Sequence, residues 1–549
     1  MFTTAHLDTF ARDQLPPRTA WPELHFDLPS LQYPTQLNCV TPLLDDAVAS
    51  IGTERIALYS LQERWSYGHL QKTVNRIAQV LREDMKLVPG NRVLLRGENA
   101  LMTAACFLAI LKAGCIVVPT MPMLRAKELH EVLDKAQVNA VLCSQALTAE
   151  LETANRRLAQ PAAVTTFHHD GDDALEAMMR AKSGSFDACP TLAEDVAMIV
   201  FTSGTTGKPK GTMHFHRDVL AICDCFPPAM LQVREDDICI GTPPFAFTFG
   251  LGGLLLFPLR YRASAVLLER PSADVLLQAM QDFRATISFT APAFYRRMAP
   301  LVSGYDLSSL RKAVSAGEAL PIATRDLWQQ ATGLKLIDGL GATEMLHIFI
   351  SAAEDEVRPG ATGKAVPGYQ ACILDDQGRA LPPGQVGKLA VKGPTGCRYL
   401  ADSRQQAYVL HGWNITGDAF RMDEDGYFYY HSRLDDMIVS AGYNIAGPEV
   451  EAALLLHPAV QECAVVGAPN EERGQIVKAF VVLQAGQAAD AGLVRTLQDF
   501  VKQTIAPYKY PRAIEFVEVL PRTESGKLQR FKLRDGISDS ADSATTGDR

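Results

Sequence analysis

Short apolar runs alternate with helical segments along most of this chain, and this alternation limits the possible folds more than any other feature. Strand, helix, strand, helix and strand patterns cover 92–95, 101–112, 115–119, 125–137 and 140–143 in turn. Parallel strands need crossover connections of about this length, and these are usually helical. The alternation therefore predicts a parallel sheet that is covered by helices on both faces.

Strand patterns of the same kind resume in the middle of the chain, at 237–241, 265–268, 286–290, 313–315 and 334–337. Helical stretches separate most of them. In sheets of this type, ligands bind beyond the carboxyl ends of the strands. The loops that follow these strand patterns are therefore where a functional site is expected.

The character of the chain changes near residue 370, where shorter strands and turn signals begin. We expect an α/β protein whose N-terminal domain, at 1–434, holds helix-covered, largely parallel sheets. A small β-rich subdomain is predicted at about 370–434, and a small α+β C-terminal domain is predicted at 435–537. The tail at 538–549, rich in Ser, Asp and Thr, is predicted to be disordered.

Composition excludes several classes of function. A chain of 549 residues is too long for one core, and a net charge of -9 argues against a nucleic-acid partner. The longest apolar stretch, at 101–119, is interrupted by Lys112 and Gly114, which favours a buried helix and strand over a membrane span. The 11 cysteines form no CxxC pair, and no signal peptide is recognised, so a cytoplasmic protein with no membrane partner is expected.

A loop rich in glycine and hydroxyl side chains follows the apolar run at 196–201, which is typical of a buried strand. Glycines let successive N–H groups face one anion, hydroxyls add short donors, and the two lysines that end the loop suit phosphate. It is not a Walker A loop, because Pro209 and not Ser or Thr follows Lys208. A solvated loop is the alternative, but the whole string favours polyphosphate binding by Thr202, Ser203, Gly204, Thr205, Thr206 and Gly207.

Two further glycine-containing strings follow predicted strands. Residues 316–321, Ala-Gly-Glu-Ala-Leu-Pro, open a helix and alone would suit an ordinary helix cap. Residues 338–344, Asp-Gly-Leu-Gly-Ala-Thr-Glu, carry two glycines that let the backbone approach a ligand. Thr343 adds a hydroxyl, and Glu344 adds a hard oxygen ligand suited to magnesium.

The string at 206–211, Thr-Gly-Lys-Pro-Lys-Gly, resembles the signature of the adenylate-forming superfamily, which includes acyl- and aryl-CoA ligases, luciferases and peptide-synthetase adenylation domains. The resemblance covers roughly residues 45–535, with eight motifs in the order of the superfamily. It implies ATP and coenzyme A as co-substrates, with Lys210 as the fixed lysine of the phosphate loop. It also implies that the C-terminal domain is a mobile lid.

The resemblance assigns roles to the strings near the predicted strand ends. Ala316, Gly317 and Glu318 would flank the adenine, and Asp338 would take the adenine-amine position. Thr343 would contact the α-phosphate, and Glu344 would hold Mg²⁺. Most members of the superfamily carry Tyr where this chain has Leu340. Loss of the tyrosine ring leaves room in the site, and this pattern is associated with benzoate-type ligases.

Further matches lie around the junction with the C-terminal domain. A carboxylate and an arginine form a chemically sensible diol clamp, and Asp418 and Arg433 match the ribose-binding pair of the superfamily. Taken alone, Asp418 would be equally typical of an aspartate in a turn. Asp435 falls at the hinge of the superfamily.

The last two matches belong to loops of the C-terminal domain. Gly442 and Tyr443 resemble the loop that turns toward CoA after the lid rotates. Lys527 ends the string Pro-Arg-Thr-Glu-Ser-Gly-Lys, and its counterpart bridges the substrate carboxylate and the α-phosphate. A lone lysine near a C-terminus is usually solvated, but here it follows the full motif.

Two strings, at 343–349 and 506–512, indicate which acid the protein activates. They look like the corresponding strings of benzoate-CoA ligases and their 2-aminobenzoate relatives. The opening segment at 4–12 leans toward the 2-aminobenzoate branch. Phe249 occupies the place of an aromatic wall. His347 could donate to the carboxylate or to an ortho substituent, or it could be a packed core histidine beside the pocket.

We therefore expect an ATP-dependent aryl-CoA ligase, monomeric or homodimeric, that acts on 2-aminobenzoate or benzoate through an acyl-AMP with Mg²⁺. Other aryl or medium-chain acids, a stand-alone enzyme that loads a carrier protein, and luciferase-type oxidation remain alternatives. A peptide-synthetase domain is disfavoured, because no aspartate lies near 245–247 and no carrier domain follows Arg549. An inactive regulator is disfavoured because Glu344 and Lys527 are present.

Overall fold

The structure is a computed structural model that describes residues 4–202, 209–440, 443–470, 473–505, 507–522 and 528–534. Four sheets organise these residues. Within the described ranges, none of the helices has the length and apolar character needed to cross a membrane.

The first sheet carries the strand that leads into the phosphate loop. The six strands of this first sheet are β3 (Arg92–Arg96), β4 (Ile116–Thr120), β5 (Ala140–Ser144), β6 (Ala163–Phe167), β7 (Val196–Thr202) and β8 (Lys210–Phe215). The hairpin of β1 (Ile56–Tyr59) and β2 (Arg64–Ser66), which precedes them in the chain, belongs to the second sheet. The order of the six strands is β6-β5-β3-β4-β7-β8, and all neighbours are parallel except β7 and β8.

The second sheet carries the other predicted nucleotide motifs. It adds β9 (Ile238–Gly241), β10 (Ser264–Val266), β11 (Ile287–Thr290), β12 (Lys312–Ala316), β13 (Leu336–Gly341), β14 (Ile348–Ser351) and β15 (Lys364–Ala365). The order of its nine strands is β15-β14-β13-β12-β11-β9-β10-β1-β2. The central pairs from β1 to β13 are parallel, and antiparallel strands close both edges.

Two smaller sheets follow. One contains β16 (Gln370–Leu374), β17 (Val386–Lys392), β18 (Val409–Leu410), β19 (Trp413–Met422) and β20 (Phe428–Arg433), all antiparallel. The last contains β21 (Ile438–Ser440), β22 (Tyr443–Ile445), β23 (Val460–Asn470), β24 (Gly474–Leu483) and β25 (Ala513–Phe516). This C-terminal sheet packs its own apolar cluster, which includes Ile438, Val465 and Leu497.

Helices cover these sheets. In the described residues the α-helices, α1 to α16 in chain order, are Phe10–Asp13, Asp46–Ile51, Tyr67–Gln79, Leu101–Lys112, Ala126–Lys135, Thr148–Asn155, Leu175–Arg180, His216–Phe226, Thr248–Leu251, Phe257–Arg260, Ala273–Asp282, Pro292–Met298, Ile322–Thr332, Gln405–Tyr408, Gly447–Leu454 and Ala491–Thr504. Helix α4 is buried on every side, which explains why its sequence is apolar all round.

The predicted fold class is confirmed, with corrections to several strands. Strand β8 was not predicted; it starts at Lys210 and pairs antiparallel with β7. Strand β13 runs to Gly341, whereas the pattern ended it at 337, because its two glycines pair with neighbouring backbones.

The N-terminal arm is tied to the body of the protein. Leu24 forms a bridge to Gly393, and Gln36 forms one to Leu192. Leu31 and Cys39 are buried in the main core. This N-terminal segment therefore pairs with distant parts of the chain and also contributes to the interior.

Candidate active site

The phosphate-loop hairpin begins and ends at residues that face each other. Thr202, the last residue of β7, pairs with Lys210, the first of β8. The predicted phosphate ligands Ser203, Gly204, Thr205, Thr206 and Gly207 lie outside the described residues. The hairpin nevertheless fixes where their loop starts and returns.

A chain of polar contacts joins this hairpin to Glu344. The Lys210 ammonium donates to the Tyr399 hydroxyl at 3.3 Å, and that hydroxyl donates to Glu344 Oε1 at 2.5 Å. Tyr399 is 1% exposed and Glu344 is 8% exposed. Burial and the adjacent carboxylate raise the pKa of Tyr399 well above its usual range, so the phenol remains a donor. A cation, a neutral donor and a carboxylate thus meet at the end of β13.

Tyr399 is a candidate site residue that the sequence analysis did not identify. The Leu400 N–H donates to the Gly211 carbonyl at 2.8 Å, and the Met213 N–H donates to the Arg398 carbonyl at 2.8 Å. These bonds lay the 398–400 segment along β8. A tyrosine in an irregular segment carries no local signal of this role.

A buried polar cluster lies beside the same candidate site. His214 Nε2 lies 2.9 Å from the Thr343 carbonyl oxygen, and Arg398 donates to Asp218 at 2.7 Å. Burial lowers the pKa of His214 to about 4, so the ring is neutral. A neutral imidazole that donates from Nε2 holds the short 3₁₀ turn Thr343–Met345 in place.

The predicted adenine motifs lie at the carboxyl ends of two adjacent parallel strands. Ala316 ends β12, and Gly317 has φ +94°, a value that favours glycine. Asp338 lies on β13 opposite Ser315 of β12. Burial raises the pKa of Asp338 to about 7, with Arg325 opposing the shift.

Glu318 faces the C-terminal part of the chain. Its carboxylate pairs with Arg522 at 2.6 Å. Burial raises the pKa of Glu318, and the guanidinium partly reverses that effect. The motif is therefore more than a helix cap, because it also contacts the segment that leads to Lys527.

The predicted ribose clamp is assembled by strand pairing. Asp418 and Arg433 are directly paired residues of β19 and β20, and Arg433 donates to Asp418 Oδ1 at 2.9 Å. Gly417 has φ +79°, and a Cβ there would lie 2.9 Å from Arg433 Nη2. The pair is thus held in a fixed orientation at the edge of the third sheet.

The predicted hinge and CoA-side residues lie where the third sheet gives way to the fourth. Asp435 belongs to the 3₁₀ turn Leu434–Asp436, between β20 and β21. Tyr443 begins β22 and pairs with Ser440, the last residue of β21. Gly442 and Lys527 lie outside the described residues.

The predicted aryl-pocket residues form an aromatic group. His347 is 2% exposed and packs against Phe226, Phe249 and Phe257 at centroid distances of 5.3, 5.9 and 4.6 Å. Leu340 is half-buried at the end of β13 and packs on the same core. A Cβ on Gly252 would lie 2.5 Å from His347 Cδ2, so glycine is required for the ring to fit.

The His347 ring is neutral and makes no hydrogen bond with a side chain in the described part of the chain. Burial lowers its pKa to about 3, and the facing Phe249 backbone opposes this only in part. The ring is packed in the core, as one interpretation of the sequence expects. Its nitrogens bond to no described side chain, which leaves them able to bond to a ligand, as the other interpretation requires.

Acid should destabilise the protein through His347, because a folded-state pKa near 3 lies below the unfolded value of about 6.5. Unfolding then takes up a proton between these pH values, so stability is full above pH 6.5 and falls below it. From pH 7.5 to pH 5 the loss is about 2 kcal/mol for this residue. Urea denaturation of His347→Leu should show a pH dependence smaller by that amount; identical slopes in the two proteins would contradict a neutral, buried ring.

Comparison with known proteins identifies the family. The family model described as AMP-binding enzyme matches residues 44–399, and the model described as AMP-binding enzyme C-terminal domain matches 449–527. The chain belongs to the AMP-binding enzyme family. It is an adenylate-forming enzyme, as the motifs predicted.

Three relatives narrow the chemistry. Benzoate–CoA ligase of Thauera aromatica is 33% identical, covering 92% of this chain and 97% of the relative. The uncharacterized acyl–CoA ligase YtcI of Bacillus subtilis (strain 168) is 37% identical, covering 86% and 90%. A solved structure, the anthranilate CoA ligase AuaEII in complex with anthranoyl-AMP, matches with a TM-score of 0.89 and 32% identity, covering 94% and 100%. This AMP-binding enzyme is therefore an AMP-forming acid–thiol ligase of the aryl/acyl-CoA ligase group.

Proposed function

We propose that the protein is an aryl-CoA ligase that activates 2-aminobenzoate in preference to benzoate. The observation that carries the proposal is His347, an almost fully buried imidazole among three phenylalanines whose nitrogens bond to no described side chain. A buried polar group without a partner is costly, and a ligand that supplies one gains affinity. Relatives named for benzoate and anthranilate support the same class of acid.

The aromatic group suits one flat ring. Phe249 stands edge-on to Phe289 at 5.8 Å, which gives a rigid apolar wall. Leu340 contributes an aliphatic side chain where most members have a tyrosine, which would leave room for a ring beside the wall. Apolar walls discriminate weakly between similar rings, and a hydrogen-bonding group is needed to distinguish an ortho amino group.

In the first half-reaction, the acid carboxylate attacks the α-phosphorus of ATP and pyrophosphate leaves. Lys210 and the phosphate-loop amides would neutralise the phosphate charges, while Thr343 and Lys527 would contact the α-phosphate. Tyr399 would keep Glu344 and Lys210 apart and correctly oriented. Asp418 with Arg433 would bind the ribose hydroxyls.

Magnesium fits this arrangement. Among the described residues no group of three or more His, Cys, Asp or Glu side chains could chelate a metal by itself. Mg²⁺ commonly uses one or two carboxylates together with substrate phosphates, and Glu344 would supply the carboxylate. A bound Mg²⁺ would neutralise charge on the phosphates.

In the second half-reaction, the CoA thiol attacks the acyl carbon of the acyl-AMP and AMP leaves. Lys527 cannot remain at the α-phosphate while a thiol enters from the same side, so a conformational step is required. Rotation about Asp435 would withdraw Lys527 and bring the loop that contains Gly442 and Tyr443 toward CoA.

Replacing His347 by alanine tests the substrate preference. The variant should lower the ratio of kcat/KM for 2-aminobenzoate to that for benzoate about tenfold, because only one substrate loses a hydrogen bond. Phe257→Leu is the matched control, since it alters the same aromatic group without removing a polar atom. If both substrates slow equally in His347→Ala, the imidazole serves the shared carboxylate and the proposed preference is wrong.

A further inference from the structure

Every residue of the short turn at 343–345 is held by a buried side chain from another part of the chain. The contacts are those of the His214 imidazole with the Thr343 carbonyl, the Tyr399 hydroxyl with the Glu344 carboxylate and the Thr395 hydroxyl with the Met345 carbonyl. Their lengths are 2.9, 2.5 and 2.8 Å in that order. None of the three anchoring residues is more than 1% exposed. Since a carbonyl oxygen only accepts, the imidazole donates from Nε2.

The turn ends in a strained residue. Leu346 has φ +67°, a left-handed conformation that is uncommon for a side chain other than glycine. Its N–H donates to the Thr343 carbonyl at 3.1 Å, and this bond closes the turn. The same carbonyl accepts from His214, so the imidazole bonds to the atom on which the turn closes. Such strain persists only where the surrounding contacts determine the backbone, and it is concentrated at functional sites.

His214 shares one face of β8 with Lys210. Side chains alternate along a strand, and the pairing of β8 with β7 is regular from Lys210 to His214. Lys210, Thr212 and His214 therefore point to one side, whereas Met213 packs in an apolar cluster on the other. Lys210 also contacts the Tyr399 hydroxyl at 3.3 Å. One strand face thus bears on both the fixed lysine of the phosphate site and the turn.

We propose that His214 is a positioning residue of the adenylation step. Its Nε2–H holds the Thr343 carbonyl, so that the Thr343 hydroxyl and the Glu344 carboxylate face the phosphates of ATP. Because β8 also carries Lys210, the same bond keeps the lysine and the turn in one frame. The imidazole acts through the backbone of the turn and not by contact with ATP. The proposal rests on the roles given to Thr343 and Glu344 under the proposed function.

Three variants of His214 test this role. His214→Leu should slow single-turnover pyrophosphate release about tenfold or more, because a small displacement of positioned groups is enough for such a loss. His214→Gln places an amide N–H near the position of Nε2 and should stay within about threefold of the wild-type rate, whereas His214→Asn, one methylene shorter, should resemble His214→Leu. The KM for the acid should change less than about twofold in all three variants.

Two measurements separate positioning from a loss of stability. Equilibrium binding of ATP in the presence of EDTA reports phosphate contacts without a metal, and it should weaken in the order of the rates. Urea denaturation gives the stability of each variant. His216→Leu is the matched control, since His216 is also 0% exposed but bonds to Cys39 and not to the turn. It should lower stability and leave the adenylation rate unchanged.

A double variant tests whether His214 acts through Thr343. The slowing in His214→Leu/Thr343→Ala should be smaller than the product of the two single losses, because both disturb one contact with the α-phosphate. Losses that multiply fully, or equal rates in His214→Gln and His214→Asn, would overturn the proposal. The comparison of Gln with Asn decides alone if His214→Leu does not fold.

The outcome for Thr343→Ala distinguishes this proposal from the proposed function. If Thr343→Ala slows adenylation while no variant of His214 does, the positioning role is wrong and the role of Thr343 stands. If Thr343→Ala has no effect, the role of Thr343 fails and the positioning role fails with it. Any acid that supports pyrophosphate release serves for these assays, so they do not depend on the aryl preference.

Discussion

Lys527→Ala is expected to slow acyl-AMP formation at least a hundredfold while thioester formation from added acyl-AMP and CoA continues. Loss of one charged contact to the transition state is worth roughly 3 kcal/mol or more, which corresponds to this factor. The residue lies outside the described part of the chain, but its neighbour Leu528 is bridged to Arg522, which in turn pairs with Glu318. Pyrophosphate release and thioester formation, measured separately, check the prediction.

Lys532→Ala provides a control in the same segment. Lys532 is exposed, so its removal changes the charge of the C-terminal domain equally without approaching the site. Both half-reactions should keep their rates in this variant. An equal loss of the two half-reactions in Lys527→Ala would refute the role assigned to this lysine.

Asp435→Pro is expected to give the opposite result, with adenylation preserved and thioester formation slowed at least tenfold. Proline fixes φ near -65°, so a turn that must change its backbone angles for the domain to rotate would be arrested. Asp435 lies in the turn Leu434–Asp436, which connects β20 to β21 and so joins the last two sheets. Single-turnover measurements of each half-reaction test this.

Asp435→Ala separates the backbone effect from the loss of a carboxylate. The alanine variant retains free φ and ψ and should form thioester much faster than the proline variant. If pyrophosphate release in Asp435→Pro falls as far as thioester formation does, the turn is a structural element and not a hinge.

Features carried by local sequence were the ones predicted well. The buried strand at 196–202 and the helix Leu101–Lys112 are clear in the pattern, because each is a continuous apolar segment bounded by polar or glycine residues. Strand β8 escaped prediction because it is recognised only by its pairing with β7 and with the 398–400 segment. It starts at Lys210, which the sequence pattern placed in the predicted phosphate loop.

Features that depend on distant contacts could not be read from the chain. Tyr399 touches both Lys210 and Glu344, which lie 189 and 55 residues away in sequence. The pairing of Glu318 with Arg522 spans 204 residues. Asp418 and Arg433 were predicted as a pair from a resemblance, and the register of β19 with β20 supplies the physical reason for their proximity.

The pKa values are likewise properties of the fold. The string around His347 suggested a pocket residue but not a ring whose pKa is near 3, because that shift arises from burial among Phe226, Phe249 and Phe257. The need for glycine at 252 also becomes visible only when the ring is placed against it.

Activation of an aromatic acid through an acyl-adenylate is tested most directly by following carboxylate oxygen. The protein, ATP, Mg²⁺ and CoA are incubated with an equimolar mixture of 2-aminobenzoate, benzoate and octanoate, each labelled with oxygen-18 in the carboxylate, and the products are analysed by mass spectrometry. We expect AMP that carries one labelled oxygen, together with 2-aminobenzoyl-CoA as the main thioester and less benzoyl-CoA. Unlabelled AMP, or labelled AMP formed together with octanoyl-CoA and no aryl thioester, would contradict this function.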